Sequence, residues 1–555
     1  MPSHPRLQAT PAIPQAPVNL SSPCRHCVVF VVLVGADVTR MWSHGGEDST
    51  QKNAVASRSF MVERVLLLTL LVPLVISSGF RVLLLFNRWF DPDEYIHMHY
   101  AWMVMKGYRP YLDFFENHPP GFWYLLAPLA GFFDESSAYL FACRVVMCLV
   151  TLAIFIMVYK LAAVGPGHAG PLFSIFLLSV EFIFLLKTLE VRPDQIVVLG
   201  WLLGAWFLIR PRDAVPFWAY GVSGACVGIG LLVSPKPLFA ILSLGGALVM
   251  LRQMEGVRPP AWRDIVLFGL MSVTPMACTL LLMWFLDEGW PFLLVQYAFL
   301  YNFAYPERIS GFKAIYEFVL DSPVFWVSTG IGSLLAIRRW RQGESEHERR
   351  RFVVLMISTV GAALAHFVLI PAPYPQSVLP LIAFLAILGA EWGRWLSDCI
   401  GAGNGCGRRR ALAIGLVVVI ALGSLHALAS IVEKQRPLTR TNSEYIDWLK
   451  SLLRVTAQSD AILAGEPKYI FRPQASFYGF LAIGLLKEIR SGKIKYDIPE
   501  RCAVRECPVI VLDRRLLEVG PWMKEFVQAN YAPSSVKGVY LRREVGYRDK
   551  TAPGR

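Results

Sequence analysis

The chain has 555 residues, of which 55% are hydrophobic, 13% aromatic and only 17% charged. This composition is too apolar for a soluble domain of this length and is typical of a membrane protein with many spans. The formal net charge of +13 does not indicate nucleic-acid binding, because most Arg residues stand in short loops between apolar runs, and basic patches with stacking aromatic residues are missing. Nucleic acid is therefore excluded as a partner.

The N-terminal region differs from the rest. Residues 1–60 are rich in Pro, Ser and small side chains, and their apolar run Val28–Val34 is much shorter than the ~20 residues of a membrane span. We predict a disordered extension here and a translation start at Met61, which opens directly onto a longer apolar run. The pair Cys24 and Cys27 lacks the second pair of ligands that would indicate a metal site.

Apolar segments long enough to cross a membrane dominate residues 61–435. For a hydrocarbon core of ~30 Å we count about eleven spans, which predicts an α-helical polytopic membrane domain. Gly121–Phe133 is short and rich in Pro and Gly, so we predict a helix at the membrane interface, inside a loop over residues 88–136. The predicted spans are Val65–Phe86 and residues 137–160, 171–187, 195–209, 216–233, 237–251, 264–286, 323–337, 352–370, 377–391 and 411–431.

The distribution of Lys and Arg predicts the orientation of these spans. If the N-terminus is cytoplasmic, the cytoplasmic loops carry most Arg residues, among them those within 338–351 and 408–410, as the positive-inside rule requires. Counting Gly121–Phe133 as a span would place these Arg residues outside. We therefore predict a multi-pass membrane protein with the loop 88–136 and the C-terminal part on the extracytoplasmic side. The predicted membrane is a bacterial inner or cell membrane.

The sequence becomes polar near its C-terminus, and we predict a small extracytoplasmic α/β domain over residues 436–555. Short apolar runs indicate buried strands, and segments of helical spacing indicate helices. Cys502 and Cys507 could form a disulfide in an oxidising compartment or remain two thiols, and the sequence leaves both open. The predicted strands are Ala461–Ala464, Val509–Leu512 and Val536–Leu541, and the predicted helices are Glu444–Leu453 and Trp522–Asn530.

The densest group of ionisable side chains in the apolar part lies in the stretch Asp91–Pro120, which follows the first span. A carboxylate beside the membrane is costly unless it faces water, a cation or a substrate, so it indicates function. A partly buried Asp93 could act as a general base toward an acceptor hydroxyl or amine. Asp93 also precedes the helical run Tyr95–Met105 and could be its N-cap. Taken alone, the residues favour a cap or a solvated acid.

The same stretch continues as Gly107-Tyr108-Arg109-Pro110-Tyr111-Leu112-Asp113-Phe114 and Glu116-Asn117-His118-Pro119-Pro120-Gly121. With the preceding Asp93-Glu94 pair, it resembles the first extracytoplasmic loop of the GT-C glycosyltransferases, in the branch of the protein O-mannosyltransferases and the lipid A aminoarabinose transferase. The resemblance is specific over residues 65–200 and looser beyond. It implies transfer of a sugar from a polyprenyl-phosphate donor to a lipid, glycan or protein acceptor on the extracytoplasmic face, with inversion at the anomeric carbon.

The resemblance also implies catalytic roles. The general base of the family falls on Asp93, and Glu94 of the same acidic pair is counted with it as catalytic. Asp91 is the less favoured candidate for the general base and is placed among the substrate-binding residues. The second acid of the family falls on Asp194, for which an ion pair with Arg192 is the alternative.

Contacts to the lipid phosphate are implied for a second group of residues. His118 stands where some relatives have Lys, and it can contact a phosphate only when it is protonated or as a neutral hydrogen-bond donor. Arg192 or Lys236 could hold the phosphate instead, since a leaving anion needs cationic stabilisation. Lys236 could also simply reach the membrane interface with its ammonium group. The remaining predicted substrate contacts are Glu116, Tyr374 and Gln376.

Other kinds of function stay open at this point. Three carboxylates in one compartment could hold a divalent metal, but no metal-ligand spacing occurs in the sequence, so we predict no required metal or cofactor. A transporter or lipid flippase would predict broken helices in repeated halves. A non-catalytic assembly subunit would use the C-terminal domain as a binding module. Membrane lipids are expected partners in every case.

Overall fold

The computed structural model describes residues 70–163, 167–210, 214–305, 308–342, 345–401, 407–436, 439, 441–496, 498 and 507–543. The predicted extension over residues 1–60, the start at Met61, the pair Cys24 and Cys27, and Cys502 lie outside the described residues. The pairing of Cys502 with Cys507 therefore stays a prediction.

Helices make up most of the described chain. Long apolar segments form helices because, in a bilayer, backbone N–H and C=O groups must be bonded within the segment itself. In chain order, the described helices begin with α1 (Leu70–Asn87), α2 (Pro92–Met105), α3 (Gly121–Phe133), α4 (Ala138–Ala162), α5 (Ala169–Val180), α6 (Phe182–Lys187), α7 (Asp194–Ile209), α8 (Phe217–Leu231), α9 (Pro237–Gln253) and α10 (Trp262–Leu286). They are followed by α11 (Trp290–Leu294), α12 (Tyr301–Phe303), α13 (Gly311–Asp321), α14 (Pro323–Arg341), α15 (Glu346–Leu364), α16 (Leu379–Gly401) and α17 (Gly407–Gln435), with π-helical turns at Val295–Leu300 and Ala365–Leu369 and a 3-10 turn at Pro375–Val378.

Six of the described helices are long and apolar enough to cross a membrane, judged by length and composition. They are α1, α4, α10, α17, α15 with its π-helical extension, and α16 with its preceding 3-10 turn. Five shorter apolar helices, α3, α5, α7, α8 and α9, accompany them. The predicted count of about eleven spans therefore stays a prediction.

The predicted span over residues 171–187 is wrong as one continuous helix. Helix α5 ends at Val180 and α6 begins at Phe182, because Glu181 between them has an extended backbone with ψ of 126°. The buried Glu181 carboxylate accepts a hydrogen bond from the N–H of Phe184 at 2.6 Å and so caps α6. A side-chain acceptor of this kind satisfies an N–H that the first turn of a helix leaves unpaired.

Helix α3 forms over the predicted residues, and its start is fixed by a close backbone contact. The N–H of Gly121 donates to the carbonyl of Leu232 at 2.7 Å. A Cβ at this position would lie 2.5 Å from the same carbonyl oxygen, so only Gly permits the approach. The contact joins the loop 88–136 to the end of α8. The placement of α3 at the membrane interface stays a prediction.

The C-terminal part contains a four-stranded sheet flanked by short helices. The elements are α18 (Ser443–Val455), β1 (Ile462–Leu463), α19 (Ile483–Arg490), β2 (Val509–Val511), α20 (Arg514–Leu517), α21 (Trp522–Asn530), β3 (Tyr531–Pro533) and β4 (Val539–Arg542). β1 is parallel to β2, β4 is antiparallel to both β2 and β3, and the strand order is β1-β2-β4-β3. The predicted strands and helices are confirmed, with small shifts, as β1, β2, β4, α18 and α21. Strand β3 and helices α19 and α20 were not predicted.

One hydrophobic cluster unites the loop 88–136 with this C-terminal part. It contains Tyr100 and Trp123 from the loop together with Leu449, Ile462 and Phe471 from beyond residue 440. Because the two regions share a core, the C-terminal part is held against the face on which the acidic stretch lies. The domain boundary near residue 436 stays a prediction.

The buried His99 on α2 also links the two regions and makes stability depend on pH. Its Nδ1–H donates to the carbonyl of Ile470 at 2.8 Å. Burial lowers the pKa of His99 to about 4, so between pH 4 and pH 6.5 the unfolded chain binds a proton that the folded chain does not. Stability is then lost as the pH falls below the unfolded value. We expect this residue to cost about 2 kcal/mol between pH 6.5 and pH 5.

Thermal unfolding in detergent at pH 5 and pH 6.5 measures this effect. A His99→Gln variant should show a smaller loss of stability on acidification than the wild type, whereas His168→Gln, at an exposed histidine, should leave the loss unchanged. Equal pH dependence in all three proteins would contradict the assignment.

Candidate active site

A cavity of about 440 Å³ lies between the start of α2, the starts of α7 and α9, and α19 of the C-terminal part. It brings together nearly all site residues predicted from the sequence. Glu94 is the exception. The predicted residues on the cavity wall are Asp91, Asp93, Glu116, His118, Arg192, Asp194, Lys236, Tyr374 and Gln376. Lining residues that were not predicted include His97, Lys187, Tyr301, Asn302 and Arg515.

Asp91 and Asp93 stand at the start of α2, and their positions in the helix differ from those expected from the sequence. The N-cap is Asp91, whose side chain accepts from the N–H of Asp93 at 3.1 Å. The alternative of Asp93 as the N-cap is therefore wrong, because Pro92 begins the helix before the run Tyr95–Met105 and Asp91 caps it. Asp93 is left with its side chain 36% exposed on the cavity wall.

Arg192, just before α7, holds both of these carboxylates. Its Nη1 donates to Asp93 Oδ2 at 2.5 Å and its Nη2 to Asp91 Oδ1 at 2.7 Å, while Nε bonds to Glu190. Such charge-assisted pairs hold a guanidinium in one orientation. The second oxygen of Asp93, Oδ1, has no hydrogen-bond partner among the described residues. Arg192 therefore fixes Asp93 and leaves one oxygen available to the cavity.

The buried Glu190 anchors this arrangement from behind. It accepts from Arg88 at 2.5 Å and from Lys187 at 2.7 Å, besides Arg192. Burial acts to raise the pKa of Glu190, but the three cations outweigh it and hold the pKa below its ordinary value. For Asp91 the balance is reversed, since burial, with repulsion from Glu190, raises its pKa despite Arg192.

Asp194 begins α7 and pairs with Lys236, which precedes α9. The alternative of an ion pair between Asp194 and Arg192 is therefore not what the structure contains. Asp194 is 8% exposed, and Lys236 is 26% exposed and lines the cavity. An ammonium group with three donors can keep this pair and still bond to a second anion.

A polar group from the loop 88–136 completes the cavity wall. His118 Nδ1 donates to Glu116 Oε1 at 2.7 Å, and the side chains of Asn117 and Asn302 bond to each other at 3.2 Å. The neighbouring His97 accepts from the indole N–H of Trp123 at 3.3 Å. Burial, followed by repulsion from His118, holds the pKa of His97 well below its usual value, so His97 is neutral.

Glu94 does not belong to this cavity, and its predicted catalytic role is not supported by its position. It is fully buried and pairs with the equally buried Arg144, which donates Nη2 to Oε1 at 2.7 Å and Nε to Oε2 at 2.9 Å. It also accepts from the N–H of Asp91 and of Val191. With both oxygens used, Glu94 joins α2, α4 and the segment before α7, which is a structural role.

Tyr374 and Gln376 lie on the cavity wall as predicted, at the start of the 3-10 turn. Of the residues that were not predicted, Lys187 could have been found as an isolated cation at the end of an apolar run. Asn302 and Arg515 carry no such signal, because each stands in a very short helix, α12 for Asn302 and Arg514–Leu517 for Arg515, that no sequence pattern links to a site. Among the described residues there is no group of three or more His, Cys, Asp or Glu side chains that could hold a metal ion. The expectation that no metal is required stays a prediction.

Solved structures of similar fold agree with this arrangement of helices. ArnT from Cupriavidus metallidurans bound to undecaprenyl phosphate matches with a TM-score of 0.51 and 13% identity, over 74% of this chain and 85% of that chain. The Archaeoglobus fulgidus oligosaccharyltransferase in its apo form matches with 0.54 and 11%, over 81% and 69%. The archaeal oligosaccharyltransferase AglB from the same organism, in complex with an inhibitory peptide and a dolichol-phosphate, matches with 0.52 and 11%, over 80% and 69%.

The chain is thus an integral membrane protein with the GT-C fold, which confirms the fold class inferred from the sequence. More specifically, residues 117–284 match the family described as dolichyl-phosphate-mannose-protein mannosyltransferase, and this match together with the fold confirms the resemblance to the GT-C superfamily. No protein of curated function matches the sequence.

Proposed function

We propose that this chain is a glycosyltransferase that moves a sugar from a polyprenyl-phosphate donor to an acceptor on the extracytoplasmic face, with inversion at the anomeric carbon. One observation carries the proposal. Asp93 has one oxygen bonded to Arg192 at 2.5 Å and its other oxygen unpartnered among the described residues, on the wall of a cavity of about 440 Å³. The undecaprenyl phosphate bound to ArnT and the dolichol-phosphate bound to AglB support the donor class.

Asp93 acts as the general base in this proposal. The acceptor hydroxyl or amine gives its proton to the free oxygen of Asp93 while its own oxygen or nitrogen bonds to the anomeric carbon. The bond from that carbon to the phosphate oxygen breaks at the same time, and the polyprenyl phosphate leaves as an anion. Arg192 positions the base, because its three guanidinium nitrogens bond to Asp91, Asp93 and Glu190.

Lys236 is the cation that stabilises the departing phosphate. Of the three groups inferred from the sequence, Arg192 bonds to carboxylates through all three nitrogens and is only 6% exposed, and His118 is bonded to Glu116 through Nδ1. Lys236 keeps donors beyond its bond to Asp194 and is 26% exposed on the cavity wall. A fixed positive charge that meets the phosphate as its charge grows lowers the barrier to its departure.

A conversion assay with the purified full chain tests the function. A labelled polyprenyl-phosphate sugar in proteoliposomes should lose its sugar to an added acceptor and release polyprenyl phosphate, and the anomeric configuration of the product should be opposite to that of the donor. Movement of labelled lipid across the bilayer without a product would support a flippase instead. Neither product nor movement would support an assembly subunit.

Replacing Lys236 by Gln should weaken use of the donor. We expect the kcat/KM for the donor to fall roughly ten- to hundredfold, because a hydrogen bond to a charged group is lost, with the KM for the acceptor unchanged. Lys236→Arg, which keeps the cation, should recover part of this loss.

Lys434→Gln provides the control for Lys236→Gln. Lys434 pairs with Asp321 at 2.6 Å, another carboxylate that is largely buried, and it does not line the cavity. If Lys236→Gln and Lys434→Gln had the same kinetic constants for the donor, Lys236 would not contact the phosphate.

A further inference from the structure

A second cavity, of about 200 Å³, lies at the other end of the helices that start at the candidate active site. Helix α7 begins at Asp194 and α9 begins next to Lys236, whereas Leu208 and Leu251, near the ends of the same two helices, line the second cavity. Fourteen residues of helix span about 20 Å. The two cavities therefore open toward opposite ends of the helix bundle, and the second lies on the Arg-rich side.

The titratable side chains that line this second cavity are three guanidinium groups and one carboxylate, with a Tyr beside them. Arg258 comes from the connection between α9 and α10, Arg263 from the first turn of α10, and Arg350 from α15. Arg350 is only 4% exposed. The carboxylate, Asp264, accepts from the N–H of Ala261 at 2.8 Å and so belongs to the N-terminal cap of α10. Positive charge thus dominates the described lining.

The segment that presents these Arg residues is held in place by its neighbours. Arg252 donates to the carbonyl of Pro260 at 2.8 Å, and its guanidinium lies 4.8 Å from the ring centre of Trp262. The N–H of Arg258 donates to Glu346 on α15 at 2.9 Å. The cavity is therefore built before any ligand arrives, which reduces the entropy that binding would cost.

Aromatic side chains around the cavity indicate at which level of the membrane it lies. Phe217 lines it and Trp262 lies next to its lining, and they are 51% and 57% exposed. Trp side chains such as Trp262 concentrate at the level of the lipid headgroups. A basic cavity between helices at that level fits an anionic headgroup.

We propose that this cavity binds the phosphate group of an anionic molecule, through Arg258, Arg263 and Arg350. The planar guanidinium matches phosphate oxygens with paired hydrogen bonds. Leu208, Leu248 and Phe217 give the same cavity an apolar wall, against which the first carbons of a phospholipid's acyl chains fit. The phosphate can come from a lipid headgroup or from a soluble phosphate compound, and the experiment below separates the two.

Native mass spectrometry of the purified full chain in detergent tests the proposal with three probes. They are dioleoyl phosphatidylglycerol, dioleoyl phosphatidylcholine and inorganic phosphate. The test variant is Arg258→Gln with Arg263→Gln, whose side chains are exposed and whose loss should not disturb folding. The control, Arg338→Gln with Arg341→Gln, removes the same charge from exposed residues at the end of α14 that do not line the cavity.

We expect the wild type and the control to bind phosphatidylglycerol at least about tenfold more tightly than the test variant does, and to bind phosphatidylcholine weakly. Binding of inorganic phosphate that depends on the same two Arg residues, without lipid binding, would assign the site to a soluble phosphate. Equal binding by the test variant and the control, for both anionic probes, would overturn the proposal. None of these results depends on transferase activity.

Discussion

An Asp93→Asn variant is expected to lose sugar transfer by roughly 10²- to 10⁴-fold, the usual contribution of a general base. Asn has the shape of Asp and can still accept the hydrogen bond from Arg192 that Asp93 Oδ2 accepts at 2.5 Å. It cannot take a proton from the acceptor. We therefore expect normal expression, normal thermal stability and a nearly unchanged KM for the donor, with the loss confined to kcat.

Asp134→Asn is the matched control for this experiment. Asp134 lies in the same loop, is 67% exposed and approaches Lys106 only at 3.8 Å, so its replacement should leave turnover unchanged. The measurement is release of labelled sugar from the polyprenyl-phosphate donor under single-turnover conditions, which excludes product release as the limiting step. Near-native turnover of Asp93→Asn would remove Asp93 as the base, and Asp91 would then be the next carboxylate to test.

The site illustrates which parts of the molecule a sequence can predict. Counting Lys and Arg in alternate loops predicted that Asp93, Asp194 and Lys236 lie on one side of the membrane, and the structure brings the three residues to one cavity. The pairing of these groups was not predictable. Arg192 and Lys236 are both cations and both precede a helix that begins at the cavity, so either could pair with either carboxylate. Small differences in side-chain position decide that Arg192 pairs with Asp93 and Lys236 with Asp194.

The fold shows the same limit at a smaller scale. Long apolar runs predicted helices well, since a segment in lipid has almost no other way to satisfy its backbone. The break at Glu181 was missed because a single carboxylate in an apolar run can either pair with a cation or bond to the backbone. Only a bond to the backbone ends the helix, and the sequence does not show which of the two forms. Strand β3 was missed for a different reason. Tyr531–Pro533 follows α21 directly and contains Pro, and its strand character comes from pairing with β4.

The buried ion pair of Glu94 and Arg144 was not predicted either, although the sequence contains one indication of it. Arg144 is an isolated charge inside the apolar helix α4, and such a residue needs a partner. It uses Nε and Nη2 for Glu94 and donates to the carbonyls of Leu85, Arg88 and Trp89. Arg144 thereby ties the end of α1 and the start of α2 to α4, directly behind the site of Asp93.

Replacing Arg144 by Gln should therefore destabilise the whole chain by about 3–5 kcal/mol, because the carboxylate of Glu94 would be left buried without its charge partner. The double variant Glu94→Gln with Arg144→Gln should recover part of this loss, since Gln at the third helical position can still serve the capping box of α2 and no unpaired charge remains.

Arg109→Gln is the control, because Arg109 is 51% exposed and lies 3.7 Å from Asp113, and its loss should cost less than about 1 kcal/mol. Thermal unfolding followed by size-exclusion chromatography in detergent measures all three. If Arg144→Gln unfolded at the same temperature as Arg109→Gln, or if the double variant were less stable than Arg144→Gln, the ion pair of Glu94 and Arg144 would not stabilise the helices behind Asp93.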